Sequence, residues 1–169
     1  YVLMGLATLK PLGISGAILQ MFSHGIMTAL FFGVIGIIYE RTQTRDITIL
    51  EGLSKRMGLA ASFFTIAGLA SLGLPGLSSF IAELLIFIGA FQTNLIIGIL
   101  GIIGAAITAV YILRLIAKVF FGPTRKQWND IKDLNKLEGM TTGILVAFLL
   151  IVVLIPFPFL KLIDSTVTA

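Results

Sequence analysis

Residues 73–83 read Gly73-Leu74-Pro75-Gly76-Leu77-Ser78-Ser79-Phe80-Ile81-Ala82-Glu83. Two glycines and a proline within four residues predict an interruption in a helix, with Gly73, Pro75 and Gly76 as the breaking residues. Glu83 is the only charged residue between Arg56 and Arg114. A charged side chain in hydrocarbon costs about 2.5 kcal/mol or more. A buried acid beside broken backbone therefore indicates a path for protons or other ions.

The composition indicates a membrane protein. The chain is 57% hydrophobic and 12% charged, and its apolar runs are continuous, which favours spanning helices over the alternating strands of a barrel. There is no cysteine and a single histidine, which excludes disulfides, iron–sulfur ligation by this chain and a multi-histidine metal or haem site. We therefore expect no metal and no cofactor in this chain.

The apolar runs predict an all-α, polytopic transmembrane bundle, a single membrane domain over residues 1–169. Four spans follow a short N-terminal stub, at about 14–39, 58–91, 95–121 and 140–156. The stub, 1–9, reads as the end of a helix, so we expect the chain to be the C-terminal part of a longer protein. As one straight helix, residues 58–91 would be about 50 Å long against a hydrocarbon core of about 30 Å, so two half-helices that meet near residues 73–76 are the better interpretation. We also expect an interfacial helix at about 125–137 and a short polar tail.

Charge asymmetry predicts the orientation. Ten of the twelve basic residues lie in or beside two loops, at 40–57 and 122–139: Arg41, Arg45, Lys55, Arg56, Arg114, Lys118, Arg125, Lys126, Lys132 and Lys136. Lys10 and Lys161 lie on the opposite side. By the positive-inside rule both loops are cytoplasmic, and the C-terminus is outside. The net charge of +4 thus reflects membrane orientation, and we expect no nucleic-acid partner.

Glu83 is the strongest candidate for a functional residue. Burial favours the neutral form of a carboxyl group, which suits it to accept and pass on a proton. Ser79 precedes it by one helical turn and is a candidate hydrogen-bond partner. The alternative interpretation is that Glu83 only holds two helices together.

Gln20, His24 and Thr28 recur at every fourth position and predict one polar stripe on a helix face. The imidazole of His24 can both donate and accept a proton, which suits a relay. A structural histidine that holds helices together is an equal alternative on spacing alone.

Four segments, in this order, resemble the antiporter-like subunit family of respiratory complex I. They are Leu19-Gln20-Met21-Phe22-Ser23-His24-Gly25, Tyr39-Glu40-Arg41-Thr42-Gln43-Thr44-Arg45-Asp46, the stretch 73–83, and Val119-Phe120-Phe121-Gly122. The resemblance covers essentially the whole chain and is closest to the M-type members, which are the subunit 4 type of mitochondria. It implies the last four spans and a stub of a longer subunit that is built from two inverted repeats.

The resemblance implies that 58–91 is the family's discontinuous helix, that Glu83 is its ionisable residue and that His24 is its mid-membrane histidine. The family's buried glutamate–lysine pair and central lysine would precede Tyr1, so the chain would supply only the outer half of a proton path.

The implied function is that of a proton-translocating subunit of NADH–quinone oxidoreductase, part of an enzyme but without a redox site of its own. Its partners would be the other membrane subunits of complex I, protons and the lipid bilayer. The location would be the inner (plasma) membrane of a bacterium, or alternatively an organelle inner membrane or a thylakoid membrane. Alternative functions are a subunit of a multisubunit Na+/H+ antiporter or of a membrane-bound hydrogenase complex, and a passive anchor whose polar groups only join helices.

Overall fold

The computed structural model describes residues 1–123 and 125–167. Within these residues the chain is helical and contains no strand. Its helices are α1 (Val2–Ala7), α2 (Pro11–Thr42), α3 (Gly58–Ala70), α4 (Ser79–Thr93), α5 (Leu95–Phe121), α6 (Lys136–Leu154) and α7 (Phe157–Val167). Three of them, α2, α5 and α6, are long and apolar enough to cross a membrane, whereas α3 and α4 are shorter apolar helices. The all-α class is thus confirmed for the described residues.

Helix α2 is the central element and contacts α1, α3, α4, α6 and α7. It begins at Pro11, whose fixed φ suits the first helical position. It ends where Gln43 adopts a left-handed conformation at φ 54° and its N–H bonds the carbonyl of Tyr39. The helix is therefore longer at both ends than the predicted span 14–39.

The interruption that the glycine–proline stretch predicts is present. Helix α3 ends at Ala70 and α4 begins at Ser79. Gly73 has φ 59° and Gly76 has φ 98°, values in a region that side chains disfavour and glycine adopts readily. The stretch between α3 and α4 consists of turns rather than helix.

The buried side chains form two apolar clusters. The larger one joins the second half of α2 to α3, the end of α5 and the loop after α2. Its centre is the aromatic series Phe31, Phe64 and Phe120, with ring centroids 4.2 Å and 5.0 Å apart. The smaller cluster joins Leu19 of α2 to α4, α6 and α7. The two half-helices α3 and α4 therefore belong to different clusters.

The expected interfacial helix at 125–137 is not formed. Only a single 3-10 turn, Lys126–Trp128, occurs there, because the polar residues of this segment bond to other elements instead. Trp128 donates from Nε1 to the carbonyl of Ile49 at 3.2 Å. The carboxylate of Asp133 accepts from the first two backbone N–H groups of α3 that follow Gly58, at 2.7 and 3.2 Å. This loop therefore anchors the start of α3.

The C-terminal end also differs from expectation. Asn135 and Glu138 form a capping box, so α6 begins at Lys136, before the predicted start at 140. After α6 the chain does not continue as a polar tail but forms α7. Prolines 156 and 158 precede or occupy the first turn of that helix, where their missing N–H is tolerated. The apolar face of α7 then packs on the smaller cluster.

Candidate functional site: a buried carboxyl group at the helix break

Glu83 lies in the second turn of α4 and is only 7% exposed. Gly73 of the interrupted segment lies directly beside the carboxyl group of Glu83. A Cβ atom built on Gly73 would overlap Oε2 of Glu83 and lie 2.6 Å from its Cδ. The backbone of the helix break thus contacts the carboxyl group. Because Gly73 has no side chain, the carboxyl group can occupy the space that a Cβ atom would fill.

Gln20 of α2 is the hydrogen-bond partner of Glu83. Its Nε2 donates to Oε1 of Glu83 at 3.5 Å, a long contact and hence a weak one. Helices α2 and α4 approach closely at Gly16, on the same face of α2 as Gln20. A Cβ atom added to Gly16 would lie only 2.9 Å from the backbone oxygen of Ala82. The carboxyl group therefore sits in a tight α2–α4 contact and is not exposed at the rim of the bundle.

Several buried polar atoms around this contact have no partner in the described part of the chain. They are Oε1 of Gln20 and the hydroxyls of Ser23, Ser78 and Ser79. The hydrogen bond that we expected from Ser79 to Glu83 is therefore not formed, although Ser79 is fully buried one turn before it. Buried polar groups normally find partners or water, so these atoms leave hydrogen-bonding capacity beside the carboxyl group.

His24 does not join this cluster directly. Its side chain is exposed in the isolated chain and makes no hydrogen bond within the described residues. It lines a hollow of about 210 Å³ together with Thr28 and with Ser71 at the end of α3. The predicted stripe of Gln20, His24 and Thr28 thus divides into a buried part that reaches Glu83 and a part that faces the hollow.

The arrangement suits proton exchange better than metal binding. No group of three or more histidine or acidic side chains that could hold a metal ion occurs in the part of the chain that the structure describes. A single carboxyl group with an amide donor and nearby hydroxyls can bind and release one proton. Oxygen-rich coordination of a divalent ion would need more ligands.

Ion pairs join the segments around residues 40–51 and 125–138. Arg41 at the end of α2 bonds both carboxylate oxygens of Glu138, at 2.7 and 2.8 Å. In the following loop the hydroxyl and the N–H of Thr48 donate to Asp46 at 2.7 and 2.8 Å and hold the pKa of Asp46 below its ordinary value of 3.8. Acidic groups are thus stabilised as anions in these loops, whereas Glu83 has no basic partner among the described residues.

Sequence reasoning predicted the burial of Glu83 and the helix break but missed two connections. It did not pair Gln20 with Glu83, and it gave Gly73 only a backbone role. The sequence carries a partial signal for the first connection, because Gln20 is one of few polar residues within its apolar run. It carries none for the second, since the approach of Gly73 to the carboxylate depends on the path of the break.

Comparison with known proteins gives a family match and similar relatives. Residues 1–108 match the family described as NADH:quinone oxidoreductase/Mrp antiporter, TM. NAD(P)H-quinone oxidoreductase chain 4 2 of Synechococcus sp. (strain JA-3-3Ab) is 36% identical over 157 residues, which are 89% of this chain and 29% of that protein. NADH-quinone oxidoreductase subunit M of Rickettsia conorii is 35% identical over 168 residues, 99% of this chain and 34% of that protein.

A solved structure shares the fold. Respiratory complex I from Thermus thermophilus with bound NADH contains a chain that superposes with a TM-score of 0.89 at 27% identity, over 98% of this chain and 36% of that one. The present chain spans about a third of the length of the curated relatives that it matches. From the helical fold, the buried acid at its break and the match over residues 1–108, the chain belongs to the transmembrane NADH:quinone oxidoreductase/Mrp antiporter family.

Proposed function

We propose that this chain is part of a proton-translocating membrane subunit of NADH–quinone oxidoreductase and supplies the outer half of its proton path. The observation that carries the proposal is the burial of Glu83 between Gln20 and the broken backbone at Gly73. An acid without a basic partner in the described residues, held where helical backbone is interrupted, is what a protein needs to take up a proton within a membrane and release it again. The relatives named as subunit M and chain 4 support this assignment.

In this proposal α3 and α4 together form the fourth crossing. Their 13 and 15 residues correspond to about 20 and 22 Å of helix, enough to traverse the membrane as a pair but not singly. The loops 40–57 and 122–139 are cytoplasmic by their basic residues. The membrane is the inner membrane of a bacterium, and the partners are the remaining membrane subunits of the complex, with electron transfer located in other chains.

A proton moves from the centre of the membrane past His24 to Glu83 and then outward. His24 faces the hollow with Thr28 and Ser71, on the side of α2 from which a proton would arrive. Water at the unpartnered atoms of Gln20 and Ser79 completes the connection to Glu83. The chain's own contribution is to position the carboxyl group between Gln20 and Gly73, where it takes up the proton and passes it on.

The test replaces Glu83 by Gln in the complete subunit within the intact complex. Glu83→Gln keeps the size of the side chain but cannot exchange a proton, and we expect proton pumping to fall by about tenfold or more while the complex still assembles. Glu51→Gln, which removes an acid from the ion pair with Arg125 in the inner loop, is the matched control and should pump normally. Wild-type pumping by Glu83→Gln would contradict the proposal.

His24→Ala is the second arm of the test. We expect a partial loss of pumping, since water can replace part of a relay through the hollow. Unchanged pumping would return His24 to a structural role without affecting the role of Glu83.

A cation/proton antiporter subunit is the second candidate, because the matched family also covers Mrp antiporters. The two candidates differ in their partners. Purification from native membranes in mild detergent should recover NADH-oxidising subunits with the chain in the first case. Recovery without redox subunits, together with Na+-driven proton movement in vesicles, would favour the second.

A further inference from the structure

The C-terminal ends of α2 and α5 flank an apolar hollow that the proposed function leaves without a role. Its volume is about 560 Å³, within the range of about 300–1,000 Å³ that is typical of pockets for small molecules. Residues of α2, α3, α5 and the loop that follows α2 line it, and none of them is acidic. The hollow is therefore large enough for a ligand that is mostly apolar.

The floor of the hollow is buried and its rim is exposed. Ile38 of α2, Phe64 of α3 and Val119 of α5 lie at the floor, and each of them is at most 5% exposed. Phe32 and Ile47 belong to the rim and are 65% and 44% exposed. The hollow thus opens on the surface of the bundle, where a membrane-embedded chain contacts lipid.

The hollow extends from the end of α2 toward the middle of that helix. Its lining residues on α2 run from Phe32 to Ile38, a length of about 9 Å at about 1.5 Å per residue, and the helix ends shortly afterwards at Thr42. One leaflet contains about 15 Å of hydrocarbon, half of a core of about 30 Å. The hollow can therefore accommodate part of an acyl chain that enters from the headgroup level.

The only polar lining residues are Thr44 and Arg45, and they are consecutive in the loop at the end of α2. The guanidinium of Arg45 lies 4.7 Å from the centre of the exposed Tyr39 ring, within the range of a cation–π contact. Tyrosine is common at the boundary between hydrocarbon and headgroups. The contact with Tyr39 therefore holds the guanidinium at the level where a lipid phosphate lies.

The charge of Arg45 is not used in an ion pair within the part of the chain that the structure describes. The neighbouring carboxylate, that of Asp46, accepts hydrogen bonds from Thr48 instead. Two further basic residues, Arg114 and Lys118, are exposed, and each directly precedes a residue of α5 that lines the hollow. This end of the hollow is therefore positively charged and complements an anion.

We propose that the hollow binds one acyl chain of an anionic phospholipid, whose phosphate group binds Arg45. The planar guanidinium can donate two parallel hydrogen bonds to phosphate oxygens. Basic pockets between transmembrane helices on the cytoplasmic side are suited to anionic headgroups, and in the proposed orientation the lipid belongs to the inner leaflet. The bound chain contacts α2, α3 and α5 together, so it holds these three helices at their inner ends. The site does not depend on proton exchange at Glu83.

The test uses the intact membrane complex, reconstituted in nanodiscs. Phosphatidylglycerol with a photoreactive diazirine on one acyl chain is compared with phosphatidylcholine that carries the same chain, and mass spectrometry of the digested chain locates the label. We expect phosphatidylglycerol to label lining residues such as Phe32, Ile47 and Leu115. Phosphatidylcholine, which has no net charge, should label them about fivefold less, because the attraction of one basic residue for anionic lipid corresponds to about that factor.

Two variants test the two ends of the site. Arg45→Gln removes the charge and should lower labelling by phosphatidylglycerol about fivefold, whereas Arg56→Gln removes an exposed charge from the same loop outside the hollow and should not change it. Gly36→Leu fills the hollow, since Gly36 lines it and a Cβ atom added there meets nothing within 4 Å. Gly33→Leu is its control, because a Cβ atom on Gly33 also meets nothing within 4 Å but Gly33 does not line the hollow.

Labelling is compared per assembled complex, and Gly36→Val replaces Gly36→Leu if that variant assembles poorly. Equal labelling of the lining residues by both lipids would overturn the proposal, and so would labelling that either Arg45→Gln or Gly36→Leu leaves unchanged. Absence of label from the lining residues would also overturn it, because protein would then cover the hollow in the complex. The proposed function is tested separately by proton pumping in Glu83→Gln, so it stands if only the labelling experiment fails.

Discussion

Replacing Gly73 by Ala tests the contact between the helix break and Glu83. The left-handed backbone at φ 59° costs a residue with a side chain about 1–2 kcal/mol. The new Cβ would lie 2.6 Å from Cδ of Glu83, whereas ordinary contact begins at 3.4 Å, so the carboxyl group must retreat. Forcing an extra methyl group into a packed site adds about 1–3 kcal/mol.

Gly76→Ala separates the two effects. Gly76 has φ 98°, and a Cβ atom added there would meet nothing within 4 Å, so this replacement imposes backbone strain without touching Glu83. We therefore expect Gly73→Ala to reduce the free energy of unfolding by about 2–5 kcal/mol and Gly76→Ala by about 1–2 kcal/mol. Only Gly73→Ala should also lower proton pumping, because only it displaces the carboxyl group from Gln20.

The assay combines thermal unfolding of the purified complex with pumping in liposomes. A double variant, Gly73→Ala with Glu83→Asp, shortens the acid by one methylene and removes the overlap. The two replacements should then be less harmful together than the sum of their separate effects, since contacting residues couple. Equal stability and equal pumping in Gly73→Ala and Gly76→Ala, or strict additivity in the double variant, would refute the contact.

Four further outcomes follow from other contacts. Gly16→Ala should destabilise the α2–α4 contact by about 1–3 kcal/mol, because its Cβ would lie 2.9 Å from backbone atoms of α4, as thermal unfolding would show. Asp133→Ala should cost about 1 kcal/mol and speed hydrogen exchange at the amides of Leu59 and Ala60 in α3. Arg41→Gln should cost about 1 kcal/mol in low salt by breaking the ion pair with Glu138, and less in high salt. The folded pKa of Asp46 lies below its ordinary value of 3.8. Its contribution to the stability of the fold should therefore be present above pH 3.8 and be lost as the pH falls through the folded pKa. The NMR shifts of the loop amides should report this titration.

Each of these outcomes has a control. Gly139→Ala, which meets nothing within 4 Å, should be tolerated where Gly16→Ala is not. Asp133→Asn should keep part of the cap that Asp133→Ala loses. Salt-independent destabilisation by Arg41→Gln would contradict a charge-based contribution, and a titration that persists in Asp46→Asn would assign the pH response to another group.

The helix break and the buried acid were predictable because their signals are local. Glycine and proline act on their own backbone, and a lone Glu in an apolar run is conspicuous in any sequence. The partner of Glu83 was not predictable in this way, because Gln20 comes from another helix and the choice between Gln20 and Ser79 depends on how α2 and α4 pack. Proximity along the chain favoured Ser79, and tertiary packing selected Gln20.

The two errors outside the site have a common cause. A short polar tail was expected after the span 140–156, whereas residues 157–167 form α7, with prolines 156 and 158 before and within its first turn, where proline is tolerated. The segment 125–137 has the composition of a surface helix, but Asp133 and Asn135 bond to the beginnings of α3 and α6. Proline, aspartate and asparagine occur both at helix starts and in loops. In both segments the packing against neighbouring helices therefore determines which structure forms.

The eight residues from 71 to 78 also determine how α3 and α4 are mechanically connected. Their backbone hydrogen bonds reach only three or four residues back along the chain, as from Gly73 to Ala70 and from Leu77 to Leu74, so no continuous ladder joins α3 to α4. The two half-helices can therefore shift relative to each other at this linker without breaking a helical hydrogen bond. Three unbroken helices, α2, α5 and α6, contact both α3 and α4, so a displacement of one half-helix reaches the other through these three.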